Sequence, residues 1–328
     1  MTVPPVNLRP IHFVTFGECM MELSGPALSS GLDPLRQGYG GDAYNTAFYL
    51  ARLSPSNWKV SFASSVGQDD LSSRLLHHWV CDGVSTDLVQ RAWDRTIAVY
   101  LIQTDDTGER KFTFWRDRSA AKTYFDHEST PLDRMVREGV GGIDVLYFTG
   151  ISLAILTPEG RERLFSLVSA VQATGGKFVF DNNYRPSLWT SASDARQWIL
   201  RGIEGSDIAF VTLDDHQALM SGPDSIATEP AAIEHLCGLA KRELVVKRGH
   251  RSTLGFQRGA LKSEAQVMPV SKVVDTTAAG DSFAAGYLVS DFLGRSQFEC
   301  LLAGNAVAAE VIQGAGALVQ VSVDLLRR

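Results

Sequence analysis

The chain has 328 residues, of which 45% are hydrophobic, and a formal net charge of −6 at pH 7. This length and composition allow a large buried core and suit one big domain. The negative charge provides no general attraction to nucleic acid or to an anionic membrane, so any site for phosphate must be local.

The N-terminal residues and the cysteines indicate the compartment. Pro4, Pro5 and Pro10 interrupt the start of the chain, which lacks the apolar core of a signal peptide, and no apolar run of about 18 residues follows. We therefore expect a cytoplasmic protein that contacts neither membrane nor nucleic acid. The cysteines are scattered, without a CxxC pair or a nearby His at ligand spacing, which predicts reduced core thiols at Cys19, Cys81, Cys237 and Cys300.

The first predicted element is one apolar strand, HFVTFGECMMEL, at residues 12–23. Glu18 lies within it, where an edge carboxylate would be exposed to water. A glycine-rich turn, QGYGG, follows and leads into a helix with Asp42 as its N-terminal cap. Gly40 and Gly41 would let a ligand approach the backbone closely, and Asn45 offers both a donor and an acceptor to hydroxyl groups.

The same stretch also matches the dinucleotide-binding pattern GxGxxA from Gly38 to Ala43. That pattern should be followed, about 20 positions later, by an acidic residue that holds a ribose, and here the apolar strand VSFASSV stands there instead. A dinucleotide oxidoreductase remains an alternative on this pattern alone.

Residues 58–90 predict a strand and a helix capped by Asp69 or Asp70, and residues 95–118 predict a hairpin. The hairpin strands TIAVYLIQT and RKFTFWR alternate in polarity and are joined by the turn DDTGE. An antiparallel pair inside a chain that otherwise alternates strands and helices indicates a small separate sheet.

Beyond residue 129, strands alternate regularly with helices. The predicted strands are VLYFT, KFVFD, DIAFVT and ELVVKRG, and the predicted helices cover 157–172, 193–203, 213–220 and 229–241. This α/β order predicts a mostly parallel sheet with helices on both faces, whose ligands bind beyond the C-terminal ends of the strands. Polar residues cluster at those ends, at 181–185, 212–215 and 247–249.

Two further patterns fail to complete a known motif. GISLA at 150–154 has Ala154 where a hydrolase nucleophile turn has its last glycine, so Ser152 is interpreted as a loop hydroxyl. Gly176 and Lys177 are followed by Phe178 rather than Ser or Thr, which excludes a Walker A loop.

The stretch DTTAAGDSF at 275–283 has the features of a phosphate site with a base inside it. Ala278, Ala279 and Gly280 precede an apolar run at helical spacing, so they should form a helix start with free N–H donors. Asp281 beside such an anion site would be repelled by phosphate unless it accepts a proton from an attacking hydroxyl. The alternative is that Asp281 only caps the helix.

This stretch resembles the DTxGAGD signature of the PfkB, or ribokinase-like, sugar kinases, with Ala278 in place of the first Gly. Together with GECMMEL, TGER (107–110), GISLAIL and FDNNYRPSLW, it is similar to the 2-keto-3-deoxygluconate (KDG) kinases within that family, and the matches run from about residue 12 to about residue 316. The resemblance implies a ribokinase-like three-layer α/β/α fold, formed by residues 1–328 as one kinase domain. It also implies a β-sheet lid from segments about 12–38 and 95–118, through which a homo-oligomer would form.

The resemblance further implies roles for individual residues. Asp281 would be the catalytic base, and the backbone of Ala278, Ala279 and Gly280 the anion hole. The substrate would contact Gly40, Gly41, Asn45, Tyr100, Phe114, Arg116, Arg185 and Asp281. The nucleotide would contact Asn183, Arg185, Lys247, Arg248, Gly249, Ala278, Gly280 and Asn305. A polar residue near Glu18 reaches the sugar in this family, so both interpretations of Glu18 stay open.

The implied reaction is transfer of the γ-phosphoryl group of MgATP to the primary hydroxyl of KDG, a sugar acid. Arg116 is suited to a carboxylate because its planar guanidinium can bind it with two hydrogen bonds, whereas Phe114 lacks the hydroxyl that Tyr can supply there. Asp215 would hold Mg²⁺ through water, although Thr212 replaces the usual Asn of that motif. Another sugar (the KDG epimer, fructose or ribose) and a non-catalytic sugar sensor remain alternatives, and the need for a monovalent cation stays open.

Overall fold

The computed structural model describes residues 9–26, 34–104, 110–139, 142–222, 226 and 228–327. Pro4 and Pro5 and the turn at 105–109 lie outside these residues. The strands are His12–Phe16 (β1), Met20–Pro26 (β2), Arg36–Gly40 (β3), Lys59–Val66 (β4), Val89–Arg91 (β5), Val99–Thr104 (β6), Arg110–Trp115 (β7), Val145–Thr149 (β8), Lys177–Asp181 (β9), Ile208–Thr212 (β10), Glu243–Lys247 (β11), Thr253–Gln257 (β12) and Ala260–Ala265 (β13).

The helices lie between these strands in the predicted alternation. They are Asp42–Leu53 (α1), Asp70–Cys81 (α2), Pro131–Glu138 (α3), Gly150–Ala154 (α4), Pro158–Ala173 (α5), Ala192–Gly205 (α6), Leu213–Leu219 (α7), Glu229–Leu239 (α8), Ala279–Phe292 (α9) and Gln297–Val311 (α10). Short 3₁₀ helices cover Ala120–Asp126, Pro186–Leu188 and Val323–Arg327. None of the helices in the described part of the chain has the length and apolar sequence needed to cross a bilayer.

The large sheet has nine strands in the order β13-β12-β11-β10-β9-β8-β1-β4-β5. The strands from β11 to β5 are parallel, and β12 and β13 add an antiparallel edge that the sequence interpretation missed. Alternate side chains of the central strands face opposite ways, as Tyr147 and Phe148 of β8 do. One face packs against α1, α2, α9 and α10, and the other against α4 to α8, so the predicted three-layer architecture is confirmed.

A second sheet has four strands in the order β3-β2-β6-β7, and we call it the lid. The predicted hairpin is confirmed, because β6 and β7 pair antiparallel. The prediction of one strand over 12–23 is wrong, because β1 belongs to the large sheet and β2 to the lid. Of the predicted lid segment 12–38, only the part in β2 and β3 therefore belongs to the lid. The chain bends at Gly17, where a Cβ would lie 2.6 Å from the Cβ of Ala43, so the close approach of α1 requires a glycine.

Several smaller predictions are corrected by the described residues. Asp69 caps α2 through Ser72, which settles the choice between Asp69 and Asp70. Ser152 lies in a short helix rather than a loop, and its buried hydroxyl donates to the carbonyl of Phe16 at 2.7 Å. All four cysteines are free thiols, but Cys81 is exposed and Cys237 half-buried, so only Cys19 and Cys300 are core residues.

The packing of α10 on α9 yields a stability prediction, since α9 carries Asp281. A methyl group at Gly304 would lie 2.7 Å from the Phe283 ring and 2.9 Å from the Phe283 carbonyl oxygen. Because the helix backbones cannot move apart without opening the core, we expect Gly304→Ala to lower the free energy of unfolding by about 1–3 kcal/mol. Urea denaturation measures this change.

The matched control is Gly238→Ala in α8, where an added methyl group would meet no atom within 4 Å. This variant should be more stable than the wild type by about 0.5–1 kcal/mol, because Ala favours the helix over the unfolded chain. Equal losses in both variants would show that the contact between α9 and α10 is not the cause.

Candidate active site

The N-terminal end of α9 presents unpaired backbone donors. Ala278 adopts a left-handed conformation with φ of 62° and immediately precedes the helix. The N–H groups of Ala278, Gly280 and Asp281 have no acceptor among the described residues, whereas that of Ala279 donates to the carbonyl of Thr276 at 3.2 Å. Free N–H groups at a helix start, together with the helix dipole, form an anion site.

Asp281 lies in the first turn of α9 and is buried, so the alternative in which it caps the helix is wrong. Its Oδ2 accepts a hydrogen bond from Nδ2 of Asn45 at 2.8 Å, which joins α9 to α1. Burial, together with repulsion from Asp42, raises the pKa of Asp281 to about 7. A carboxylate with this pKa is a much better proton acceptor than one in water.

Asp42 is the first residue of α1 and not its cap, which is Gly41. Its Oδ2 accepts hydrogen bonds from the hydroxyl of Thr149 at 2.5 Å and from Nδ2 of Asn183 at 2.8 Å. Burial raises the pKa of Asp42, and the hydrogen bonds from Thr149 and from the backbone of Ala43, with the nearby Arg185 and Arg116, offset part of that effect. Asp42 is therefore a buried carboxylate whose charge affects Asp281.

A lysine lies opposite the start of α9. Nζ of Lys247, at the end of β11, forms a buried ion pair of 2.6 Å with Asp181, at the end of β9. A Cβ at Gly280 would lie 3.2 Å from the same Nζ. The ammonium group thus lies beside the free N–H groups of α9, where it would add charge to an anion site.

A second cation and carboxylate face the same region. Nη1 of Arg185 donates to both oxygens of Asp215, at 3.2 and 3.1 Å. Burial raises the pKa of Asp215 despite this partner. The described residues contain no group of three or more His, Cys, Asp or Glu side chains close enough to hold a metal ion. A metal here would therefore depend on water and ligand oxygens besides a single carboxylate.

These groups line one cavity of about 550 Å³, which lies between the C-terminal ends of the parallel strands and the lid. Such a volume is typical of small-ligand sites. The predicted site residues that line it are Gly40, Gly41, Asn45, Tyr100, Phe114, Asn183, Arg185, Asp215, Lys247, Ala278, Ala279, Gly280 and Asp281. The lining also includes Met20, Asp42, Phe112, Ile151, Asp181, Thr212, Thr276, Thr277 and Ala317.

Tyr100 and Phe114 of the lid face this cavity with their rings stacked 5.9 Å apart. The hydroxyl of Tyr100 donates to the buried carboxylate of Glu22, and burial raises the pKa of Tyr100. Arg116 is not among the lining residues, contrary to the prediction that it covers the cavity. Its Nη2 instead pairs at 2.5 Å with Glu18, which is buried rather than exposed to water.

Three predicted nucleotide contacts lie outside this cavity. Arg248 bonds to Ser252 and Glu229. Gly249 follows it with a positive φ of 65°. Asn305 faces a separate groove on α10, where its Oδ1 accepts a hydrogen bond from the hydroxyl of Thr253 at 2.9 Å. Only Lys247 of the strand-end group 247–249 therefore reaches the residues around Asp281.

The sequence interpretation assigned no site role to Asp42, Asp181 or Phe112. Asp181 could have been found from its place at a strand end, in the same position on β9 that Lys247 has on β11. Phe112 shares a strand face with Phe114 at the spacing of two residues. Asp42 carried no such signal, because an acid at a helix start is the usual pattern for a cap.

The dinucleotide interpretation of Gly38 to Ala43 fails on its surroundings. β3, which precedes α1, pairs antiparallel with β2 in the lid, whereas a dinucleotide fingerprint needs a buried parallel strand before its helix. Gly41 is explained instead by the close approach of two backbone segments, because a Cβ there would overlap the carbonyl oxygen of Glu18.

Comparison with known proteins decides the family. The family model described as pfkB family carbohydrate kinase matches residues 11–322. The chain belongs to the PfkB family of carbohydrate kinases. The family and its kinase character, expected from the DTTAAGD stretch, are thus confirmed.

Relatives and solved structures agree with this assignment. The chain is 42% identical to 2-dehydro-3-deoxygluconokinase of Escherichia coli K12 over 306 residues, which cover 92% of this chain and 95% of the relative. It is 40% identical to the enzyme of that name from Dickeya dadantii over 311 residues, with coverage of 94% and 96%.

Two crystal structures show the same fold at low identity. The 2-dehydro-3-deoxygluconokinase of Thermotoga maritima has a TM-score of 0.79 at 21% identity, with 98% of each chain covered. A putative ribokinase II of Escherichia coli in complex with ATP and Mg²⁺ has a TM-score of 0.77 at 21% identity, with 94% of each chain covered. The ribokinase-like fold expected from the sequence is thus confirmed.

A bulky side chain at Gly280 tests whether the start of α9 binds the phosphates of ATP. We expect Gly280→Val to weaken ATP binding by about tenfold or more, because its side chain would occupy the space in front of the free N–H groups. The fold should tolerate the change, since an added Cβ meets only the flexible end of Lys247. Calorimetric titration with ATP and a thermal unfolding curve measure the two effects.

Gly280→Ala is the graded control and should lose less affinity than the valine variant. If the valine variant binds ATP as tightly as the wild type, the nucleotide phosphates lie elsewhere.

Proposed function

We propose that this protein transfers the γ-phosphoryl group of ATP to the primary hydroxyl of 2-keto-3-deoxygluconate and releases ADP and the 6-phosphate. The observation that carries the proposal is the buried carboxylate of Asp281 at a helix start whose N–H donors are free. The substrate is proposed from the relatives at 38–42% identity, which are named 2-dehydro-3-deoxygluconokinase.

Asp281 acts as the general base in this mechanism. Its carboxylate accepts the proton of the sugar hydroxyl as the oxygen attacks the phosphoryl group. Asn45 holds one carboxylate oxygen at 2.8 Å, which leaves the other for the hydroxyl. The raised pKa makes proton acceptance favourable near neutral pH.

The charge on the transferred group is stabilised by the N–H groups of Ala278, Gly280 and Asp281 and by Lys247. The adjacent ion pair with Asp181 fixes the ammonium group, so little reorganisation is needed during the reaction. Arg185 and Asn183 complete the nucleotide side of the cavity. We keep Arg248, Gly249 and Asn305 as proposed nucleotide contacts, which would require ATP to extend past the cavity toward α10.

The chemistry of the donor set fits a weakly held Mg²⁺. Asp215 would hold it through water, since hard oxygen ligands and retained waters are typical of this ion. When bound, Mg²⁺ neutralises charge on the phosphates.

The sugar side is formed by the lid and the start of α1. Gly40, Gly41, Tyr100 and Phe114 enclose the substrate, and Arg116 pairs with its carboxylate.

We further propose that the chain acts as one kinase domain, that it works in the cytoplasm where ATP is available, and that copies associate through the lid. The exposed side chain of Trp115, on the edge strand β7, supports the last point.

The proposed reaction is tested with a panel of acceptors: KDG, its galacto epimer, gluconate, fructose and ribose, each with MgATP. The highest kcat/KM should belong to KDG. A preference for fructose or ribose would select the alternative of another sugar kinase, and ATP binding without turnover on any acceptor would select a sensor.

Asp281→Asn tests the chemistry. The change keeps the size of the side chain but removes the base, so kcat should fall by about 10² or more while ATP affinity changes little. In the wild type, kcat should also fall as the pH drops below about 7, because Asp281 then becomes protonated. Steady-state kinetics measure both effects across pH 5–9, which is roughly two pH units on either side of the pKa of Asp281.

The residual rate of the Asn variant should lack this acidic fall, which separates loss of the base from loss of structure. Mass spectrometry must first exclude deamidation back to Asp. Near-normal turnover by an intact Asn variant would contradict the role of Asp281.

Arg116→Leu tests the substrate. Removing the guanidinium should cost about 30-fold to 1000-fold in kcat/KM for KDG, since a desolvated carboxylate loses a charge-assisted partner. Arg116→Lys should recover only part of the loss, because an ammonium group cannot bind a carboxylate with two parallel hydrogen bonds.

The control is a neutral analogue that lacks the carboxylate, on which the Leu variant should be no slower than the wild type. An equal loss on both substrates would mean that Arg116 supports the lid or the nucleotide, and the charge argument for a sugar acid would fail.

A further inference from the structure

Arg116 has more hydrogen-bond donors than the protein uses. Its side chain is only 10% exposed, and among the described residues one of its N–H groups, on Nη2, has an acceptor. Nε is buried and has no hydrogen-bond partner in the part of the chain that the structure describes. Because an unpaired buried donor costs about 1–3 kcal/mol, a guanidinium in this state is suited to receive oxygens from a ligand.

Glu18, by contrast, has a hydrogen-bond donor at each of its two carboxylate oxygens. It lies in the bend between β1 and β2, is 2% exposed, and is one of the more deeply buried acids of the chain. One carboxylate oxygen accepts the hydroxyl of Ser119, and the other accepts Nη2 of Arg116. The carbonyl of Glu18 lies against Gly41, so its backbone is also fixed to the turn that begins α1.

A substrate carboxylate cannot take Arg116 away from Glu18 at low cost. Breaking the pair would leave a buried carboxylate with no cation, which typically costs several kcal/mol. Sharing costs less, because the guanidinium has a planar fork of donors and Glu18 uses only one of them.

We propose that Glu18 is a positioning residue for substrate specificity, which fixes the guanidinium of Arg116 so that its remaining N–H groups receive the carboxylate of the sugar acid. This inference rests on the proposed function and extends it to a residue that does not touch the substrate.

Without Glu18, the charge of Arg116 would still act on another buried acid. Asp42 lies close enough for the charge of Arg116 to lower its pKa, and Asp42 lines the same cavity as Asp281. A released guanidinium would be attracted toward Asp42 and would no longer be held ready for the sugar acid. Glu18 thus keeps the cation next to the lid and away from Asp42.

The test is Glu18→Gln, which keeps the shape of the side chain and removes its charge. We expect kcat/KM for KDG to fall by about 5- to 20-fold, mainly through a higher KM, because a neutral amide holds the guanidinium less firmly. Activity on the neutral analogue and the KM for ATP should stay within about twofold of the wild type.

A double-mutant cycle with Arg116→Leu separates positioning from general support of the structure. If Glu18 acts through Arg116, adding Glu18→Gln to Arg116→Leu should change the ratio of acid to neutral activity no further, so the two effects are non-additive. Asp194→Asn is the matched control. It removes the carboxylate partner of another buried arginine, Arg161, outside the cavity, and should leave that ratio unchanged.

Two outcomes would overturn the inference: additive effects in the cycle, or a lower KM for KDG in Glu18→Gln, which would mean that Glu18 competes with the substrate. The proposed function fails in a different experiment, if wild-type protein does not prefer the acid over the neutral analogue.

Discussion

Burial of the Asp281 carboxylate at the positive end of α9 is the constraint on which the site depends. Burial alone favours the protonated form of the group, whereas the Asn45 amide, the charge of Lys247 and the helix dipole stabilise its charged form. Repulsion from Asp42 acts in the opposite direction. These opposed effects leave a carboxylate that can both accept and release a proton near neutral pH, which a freely solvated Asp would do poorly.

The same end of α9 must also favour a phosphate, and the two anions would repel each other if nothing lay between them. Lys247 supplies the compensating charge, and Asp181 fixes where that charge lies. Arg185 and Asp215 repeat the arrangement farther along the strand ends. Each of these cations is thus held by a carboxylate before any ligand arrives, so its position does not have to be established during the reaction.

Features that depend on residues close together in the sequence could be predicted. The helix start at 278–281 follows from three small residues before an apolar run, and the parallel sheet follows from the regular order of strands and helices. β12 and β13 were missed because β13 is largely exposed and lacks an apolar face over most of its length. The bend at Gly17 was missed because its cause is the close approach of Ala43, and that contact exists only in the folded chain.

Among the site residues, too, roles that depend on local sequence could be predicted and roles that depend on distant residues could not. Asp281 and Gly280 could be predicted because their roles depend on one turn of backbone, whereas the partners of Arg116 could not, since Glu18 is 98 positions away.

The distance in sequence between Glu18 and Arg116 reflects their places in two different sheets. Glu18 follows β1 of the large sheet and Arg116 follows β7 of the lid, so their ion pair lies where the two sheets approach each other. The charge that would recognise a sugar acid therefore lies where the two sheets meet. A change in the position of the lid would move the guanidinium relative to Asp42 and Asp281, so the place offered to the substrate carboxylate depends on where the lid lies.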